Sequence, residues 1–404
     1  MLQTPDGLTP DEIEFRDEVK AFARTEIMPL AGQIDAEDHI PMSIRKKIAE
    51  KEWYGILWPK EYGGYGGSIM KFCLASEQIA YASGGVGATF NATVLCGLPM
   101  LYYGSEAQKR KFGTRLIKGD YVAGSIGITE PDAGSDVSAL KTSAVRDGDF
   151  WVVNGKKRHI DNVGVAQLLA FWAVTNPKAE PKHRGFSTFV VEKGTPGFDT
   201  LVTRYIGLKG LECGEMHFDN VRLPAENLVG EEGHGFYHIM RLFEVARTGA
   251  GGWGVGVAQA CLDEAIEYAM NRIQFGEPII KLQAIQMMIA DMVMDLELMR
   301  MLSYRAARIG DAGLKAERAV TATKLFCNEA LFRIANTALQ IHGANGYSED
   351  YPVERHFRDA RGLPIGEGTT QVMKLLLTRI ELKSRYGGGR EEGRSVPPDR
   401  GQPL

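Results

Sequence analysis

Residues 121–162 read YVAGSIGITEPDAGSDVSALKTSAVRDGDFWVVNGKKRHIDN, a β-rich segment lodged between two stretches of helical periodicity. Its runs of Val, Ile and Trp are broken by Pro131-Asp132-Ala133-Gly134, Asp147-Gly148-Asp149 and Asn154-Gly155. That punctuation predicts antiparallel strands joined by tight turns. Strand signals continue through 168–174, 185–192, 200–206 and 214–223, and Pro224-Ala225-Glu226-Asn227 closes the module. A β-module between helical halves restricts the chain to a mixed architecture, and its Gly, Ser, Thr and Asp loops can receive a phosphate-bearing cofactor.

The flanks read as helices. Thr9 can cap a helix that has Pro10 in its first turn and Asp11 and Glu12 near its positive end. Further helices are expected over 42–52, 70–82 and 88–103, and from Ser105, with a Gly- and Pro-rich loop at 57–68. After the module, long helices over 236–272, 282–308, 314–341 and 366–384 predict a bundle. Met287, Met288, Met292, Met294, Met299 and Met301 crowd one of them, the composition of adaptable core packing. The expected domains are therefore 1–122, 123–232 and 233–385, with a disordered tail over 386–404 that lacks an apolar face.

Composition removes several classes. The net charge of -4 comes from interspersed acids and bases and gives no steering field for nucleic acid. Five cysteines without pair or quartet spacing favour a reducing compartment. The N-terminus has no secretory pattern, and no run approaches the length that spans a bilayer, so a cytoplasmic location is expected. His234 and His238 can share a helix face, yet no nearby acid completes a metal set. No Rossmann or P-loop fingerprint and no serine or cysteine nucleophile signature is present.

Glu367 stands between Gly366 and Gly368 in LPIGEGTTQ. Flanking glycines permit close approach of a ligand, and burial would raise the carboxyl toward the range of a general base. An inert acid at a helix start has the same local sequence. Glu130 and Asp132 flank Pro131 in a turn whose hydroxyls and amides can bind phosphate or simply cap it. Arg272, where a long helix ends before Gly276, can neutralise a diphosphate or the helix terminus. Glu244 and Arg247, three apart on one face, can pair with each other or face a ligand together.

Five motifs in order resemble the acyl-CoA dehydrogenase family of FAD flavoproteins: GITEPDAGSD at 127–136, WVVNGKKRHIDN at 151–162, RIQFG at 272–276, QIHGANGY at 340–347 and RDARGLPIGEGTTQ at 358–371. The resemblance spans residues 8 to about 385. It implies an α+β, mainly helical fold: an N-terminal helical domain, a central antiparallel β-barrel and a C-terminal four-helix bundle. It also implies FAD, an acyl-CoA substrate, a homotetramer and an electron-transferring flavoprotein partner, with no nucleic acid and no membrane insertion. By position, Glu367 resembles the base that removes the α-proton of an acyl thioester while flavin N5 accepts the β-hydride. Ile128 and Thr129 match contacts to the flavin ring, and Gly134 and Ser135 those to its phosphate. Arg272 and Phe275 match contacts made across a subunit interface, with Gln340 and Gly343 nearby, and Thr369 and Gln371 match the adenosine contacts. Glu244 and Arg247 match positions that touch acyl-CoA.

Two positions depart from the family pattern. The usual aromatic-Ile-Thr/Ser-Asn beside the flavin is here His159-Ile160-Asp161-Asn162. An ionised Asp161 cannot donate toward N5 and would make reduction harder, so it is protonated, turned away or tuned to another task. His159 either adjusts charge at the flavin edge or packs. The helix matching 84–99 has no ionisable group except Cys96, with Val86 where glutaryl-type members carry arginine, and Ala246 removes the alternative base of isovaleryl-type members. Gly366 and the glycines at 249, 251, 252 and 254 point to space for an apolar, short, branched or cyclic acyl group. An oxidase, a same-fold monooxygenase and a flavin-free scaffold are the competing expectations.

Overall fold

The structure, a computed structural model, describes residues 7–386; the tail expected from Gly387 onward lies outside them. Helices α1 (Pro10–Phe22), α2 (Ala31–Glu37), α3 (Met42–Glu50), α4 (Ile69–Ala82) and α5 (Gly84–Tyr103) come first, followed by short α6 (Glu106–Gln108) and α7 (Thr114–Ile117). The capping signals act as read. Thr9 Oγ1 accepts from Glu12 N at 3.3 Å while Glu12 Oε2 accepts from Thr9 N at 2.8 Å, and Ser105 with Gln108 forms a second reciprocal cap.

Helix α5 starts four residues earlier than expected, because its glycines are packing devices. A Cβ on Gly85 would lie 2.0 Å from the Lys209 carbonyl oxygen, and one on Gly87 would lie 2.9 Å from Trp253 and from Ala80. By length and composition α5 could cross a bilayer, contrary to expectation, but 89% of that window is buried inside the fold.

The central strands are β1 (Gly124–Gly127), β2 (Ser143–Asp147), β3 (Phe150–Ile160), β4 (Leu168–Val174), β5 (Phe186–Glu192), β6 (Phe198–Val202), β7 (Gly214–Pro224) and β8 (Leu228–Val229). Their order is β6-β7-β3-β2-β4-β5-β8, with β1 pairing β4. The sheet is not the expected closed antiparallel barrel. Closure requires the two terminal strands to pair in matched tilt and stagger. Here β6 pairs only with β7, two-residue β8 only with β5, and β1 runs parallel to β4. Helices cover what closure would have hidden. Leu168 and Ala170 of β4 pack with Cys96, Met100 and Leu116 of the helical region, while Leu169, Phe171 and Ala173 enter the sheet's own core with Trp151, Phe189 and Phe218. Asn154-Gly155, expected as a turn, is a bulge inside β3, marked by a register shift and by Gly155 at φ +144.

The C-terminal bundle comprises α8 (Gly235–Asn271), α9 (Gln283–Asp311), α10 (Glu317–His342) and α12 (Thr370–Tyr386), with short α11 (Val353–Ala360) between the last two. Two-residue strands β9 (Ile273–Gln274) and β10 (Glu277–Pro278) follow α8 as a hairpin, so Gly276 makes its turn and the helix has already stopped at Asn271. Among the methionines, Met292 and Met299 are core, but Met287, Met294 and Met301 are exposed at seven-residue spacing.

Candidate active site

Glu367 lies in the turn before α12, not within a helix as expected. Its backbone is left-handed, φ +55, as is that of Gly368, φ +103. A non-glycine residue there is strained and persists only where its surroundings enforce it. The side chain as a whole is partly exposed, yet Oε2 is shielded and has no hydrogen-bond partner. Burial raises the carboxyl above the ordinary range, Asp161 adds to the rise, and Lys324 and Arg247 oppose it.

Arg247, on α8, is buried, with Nε unpartnered and its guanidinium 5.3 Å over the Phe243 ring. Its Nη2 lies 4.0 Å from where a Cβ on Gly368 would stand, which brings the arginine to the Glu367 turn. Glu244 does not pair with Arg247: its Oε2 accepts from Arg241 Nη1 at 2.6 Å. A Cβ on Gly366 would meet only the Gly362 carbonyl, at 3.7 Å, so space exists there. The glycines on α8 do not open space. A Cβ on Gly249 would strike Phe72 at 2.5 Å and one on Gly252 the Cys73 carbonyl at 2.3 Å, so they let α8 approach α4.

The sheet brings a second group. The Ile128 carbonyl accepts from Lys157 Nζ at 3.2 Å and the Thr129 carbonyl from Arg158 N at 2.9 Å, fixing the end of β1 against β3. Glu130 is a structural anchor: its carboxylate accepts from Lys141 N (2.7 Å), Thr142 N (3.0 Å) and buried Lys157 Nζ (2.7 Å). Gly134 and Ser135 lie exposed in the following turn. His159 occupies a bulge at φ +58, which sends its ring outward, and Nδ1 lies 2.8 Å from the Tyr205 hydroxyl. Burial and then Arg158 lower its pKa. Burial pushes the Asp161 carboxyl up to about 6, with Cys213 hydrogen-bonding in the opposite sense. Asn162 donates to Thr89 O, Thr93 Oγ1 and Gly124 O, locking the end of β3 to α5 and β1.

Arg272, Phe275, Gln340 and Gly343 do not join this group within one chain. Arg272 caps the far end of the helix that carries Arg247, about 38 Å away by helical rise. Phe275 beside it is 93% exposed. The ends of α8 and α10 meet there, Tyr268 stacking on His342 at 4.2 Å, so Gln340 and Gly343 belong to this second cluster. Thr369 Oγ1 accepts from Val372 N and starts α12, while Gln371 is exposed on its first turn. His238 is engaged by Thr188 Oγ1 at 2.9 Å and by the Tyr103 ring. Two clefts of about 340 Å³, one lined by Arg16, Lys20, Arg24 and Arg300 and one by Ile266 and Met270, contain none of these residues. Sequence reasoning missed Lys324, 0% exposed on α10; a lone Lys on an apolar helix face was the available signal.

Glu367, with one oxygen shielded, therefore lies near buried Arg247 and within electrostatic reach of Asp161 just after β3. The chain belongs to the acyl-CoA dehydrogenase family. Its N-terminal, middle and C-terminal domain models match residues 9–120, 125–221 and 233–382. The chain is 38% identical to the probable acyl-CoA dehydrogenase YngJ of Bacillus subtilis (strain 168), over 93% of this chain and 99% of that protein. It superimposes on butyryl-CoA dehydrogenase from Megasphaera elsdenii with TM-score 0.89 at 34% identity, covering 93% of this chain and 99% of that one. It also matches the structure of PigA with FAD and proline, with TM-score 0.89 at 26% identity, over 93% and 98% of the two chains. It is an FAD-dependent, acyl-CoA dehydrogenase-type enzyme. One observation is consistent with a bound ligand there: Glu367 Oε2 and Arg247 Nε are shielded from water and have no partner, whereas most buried polar atoms have one.

Proposed function

We propose that the protein dehydrogenates an acyl-CoA thioester to the 2,3-enoyl-CoA, with Glu367 as the base that takes the α-proton. The observation that carries the reading is the Glu367 carboxyl near Arg247, whose Oε2 is shielded and has no hydrogen-bond partner. FAD, when bound, supplies the acceptor for the hydride that leaves the β-carbon. A carbon acid is deprotonated only where developing enolate charge is stabilised, and the Glu367 amide is the donor assigned to the thioester oxygen. Arg247 and Glu244 border the acyl-CoA, and the room at Gly366 suits an apolar, short, branched or cyclic acyl group.

Ile128, Thr129, Gly134, Ser135, His159 and Asp161 would hold the flavin from the sheet, and Thr369 and Gln371 its adenosine part. Below about pH 6 the Asp161 carboxyl is protonated and donates as the family's Thr or Ser would. Arg272, Phe275, Gln340 and Gly343 would serve a neighbouring subunit's cofactor in a homotetramer, with an electron-transferring flavoprotein as acceptor. The three units implied are 1–122, 123–232 and 233–385.

The test is an anaerobic titration of the purified holoprotein with short, branched, cyclic and aromatic acyl-CoAs. Bleaching of the flavin band by an apolar acyl-CoA is expected, and Glu367→Gln should retain FAD and ligand affinity while losing at least about 10³-fold in reduction rate. Parent-level reduction by Glu367→Gln would remove its assigned role.

A further inference from the structure

The Glu367 turn is clamped from both sides by one helix. Lys324 Nζ donates to the Leu363 carbonyl at 2.7 Å, four residues before Glu367, and to Asn328 Oδ1 at 2.8 Å. Asn328 Nδ2 donates to Thr370 Oγ1 at 3.3 Å, three residues after Glu367. Lys324 and Asn328 are one turn apart on α10 and both are 0% exposed. Between the clamped points lie the two left-handed residues, Glu367 and Gly368. The clamp supplies the surroundings that a strained turn requires.

A clamp alone does not need a charge. Both acceptors of Lys324 are neutral oxygens, and a buried ammonium without a countercharge is costly. We propose that Lys324, with Asn328 fixing its ammonium, is a positioning residue for the base: it holds the Glu367 turn and sets a buried positive charge against it. The proposal rests on Glu367 being the base. The groups that face Glu367 are Lys324 on α10, Arg247 on α8 and Asp161 at the end of β3, and Lys324 is the strongest of these charges. Lys324 in turn is pushed down by burial and supported by Glu367 first, then Cys327, against Arg247.

The sign follows. The Lys324 charge lowers the Glu367 pKa below what burial alone would set, so neutralising it keeps Glu367 protonated to higher pH. Lys324→Gln removes the charge, and Asn328→Asp, nearly isosteric, compensates it in place. In both holoenzymes the acid limb of kcat/KM should move upward by about one pH unit, which is about a tenfold loss below the limb and little change above it. KM well above the limb should stay near the parent value. Far-ultraviolet dichroism and flavin absorbance establish folding, and if Lys324→Gln does not fold, Asn328→Asp decides alone. A folded, FAD-bearing Asn328→Asp with an unmoved acid limb overturns the proposal, as does a loss in Lys324→Gln that is equal at every pH. Failure of the base assignment has a different signature, namely parent-level turnover by Glu367→Gln.

Discussion

Asp161 shows how one half-buried carboxyl couples chemistry to stability. Its folded pKa is raised by burial from the ordinary 3.8 to about 6. The folded state therefore binds the proton more tightly than the unfolded chain. The stability this gives is fully present below about pH 4 and is lost as pH rises through about 6. Asp161→Asn, neutral at every pH, should melt about 2–4 °C higher than the parent at pH 8 and at the parent temperature near pH 4, by calorimetry on both proteins. A difference independent of pH would show that the carboxyl does not titrate in the window its burial sets. The motifs that carry these positions were legible in the sequence, but the surroundings of each side chain were not. That the α8 glycines serve Phe72 and Cys73 depends on neighbours far away in the chain, and Glu244 has an arginine three residues off on either side, Arg241 and Arg247, between which the sequence does not choose.

At the level of elements, local chemistry was the legible part. Thr9 and Ser105 begin helices because a side-chain oxygen and an acid or amide three residues on satisfy free backbone amides, and that pattern is written in consecutive residues. Sheet closure is not local. Strand periodicity gave the runs that became β4, β5 and β7, but nothing in β6 or β8 says which edge each will meet, and β1 reads the same whether its partner is parallel or antiparallel. The turn after β1 has one anchor that can be tested. Burial would raise the Glu130 carboxyl, but Lys157, Thr142 and Lys141 together hold it below the usual range. Lys157 is 0% exposed and its own pKa is pushed down to about 8 by burial against the pull of Glu130. Lys157→Met should therefore cost about 3–5 kcal/mol in urea unfolding, since Glu130 would remain buried and uncompensated. Adding Glu130→Gln should recover part of that loss. A single mutant as stable as the parent would mean that the backbone amides of Lys141 and Thr142 suffice.

For the whole molecule, the distribution of exposed side chains sets the requirement. Arg272 stands about 38 Å along α8 from Arg247, Phe275 lies in the hairpin just beyond it, and Phe275 and Tyr347 are almost fully solvated in a single chain. Met287, Met294 and Met301 line one face of α9 at heptad spacing, an apolar stripe that an isolated chain leaves in water. On the proposed assignment, each chain gives Glu367 to its own site and Arg272 to its neighbour's. Complementation then follows from symmetry. Arg272→Ala chains have an intact base but serve the partner poorly, and Glu367→Gln chains serve well but lack the base. Each homo-oligomer should be slow. After dissociation and reassembly of an equal mixture, every mixed pair contains one site with both groups intact, so about a quarter of parent activity should return. If Arg272 acted on its own chain's cofactor, or merely capped its helix, a mixed pair would contain no site combining what the two parents lack, and the mixture would have the average of their rates.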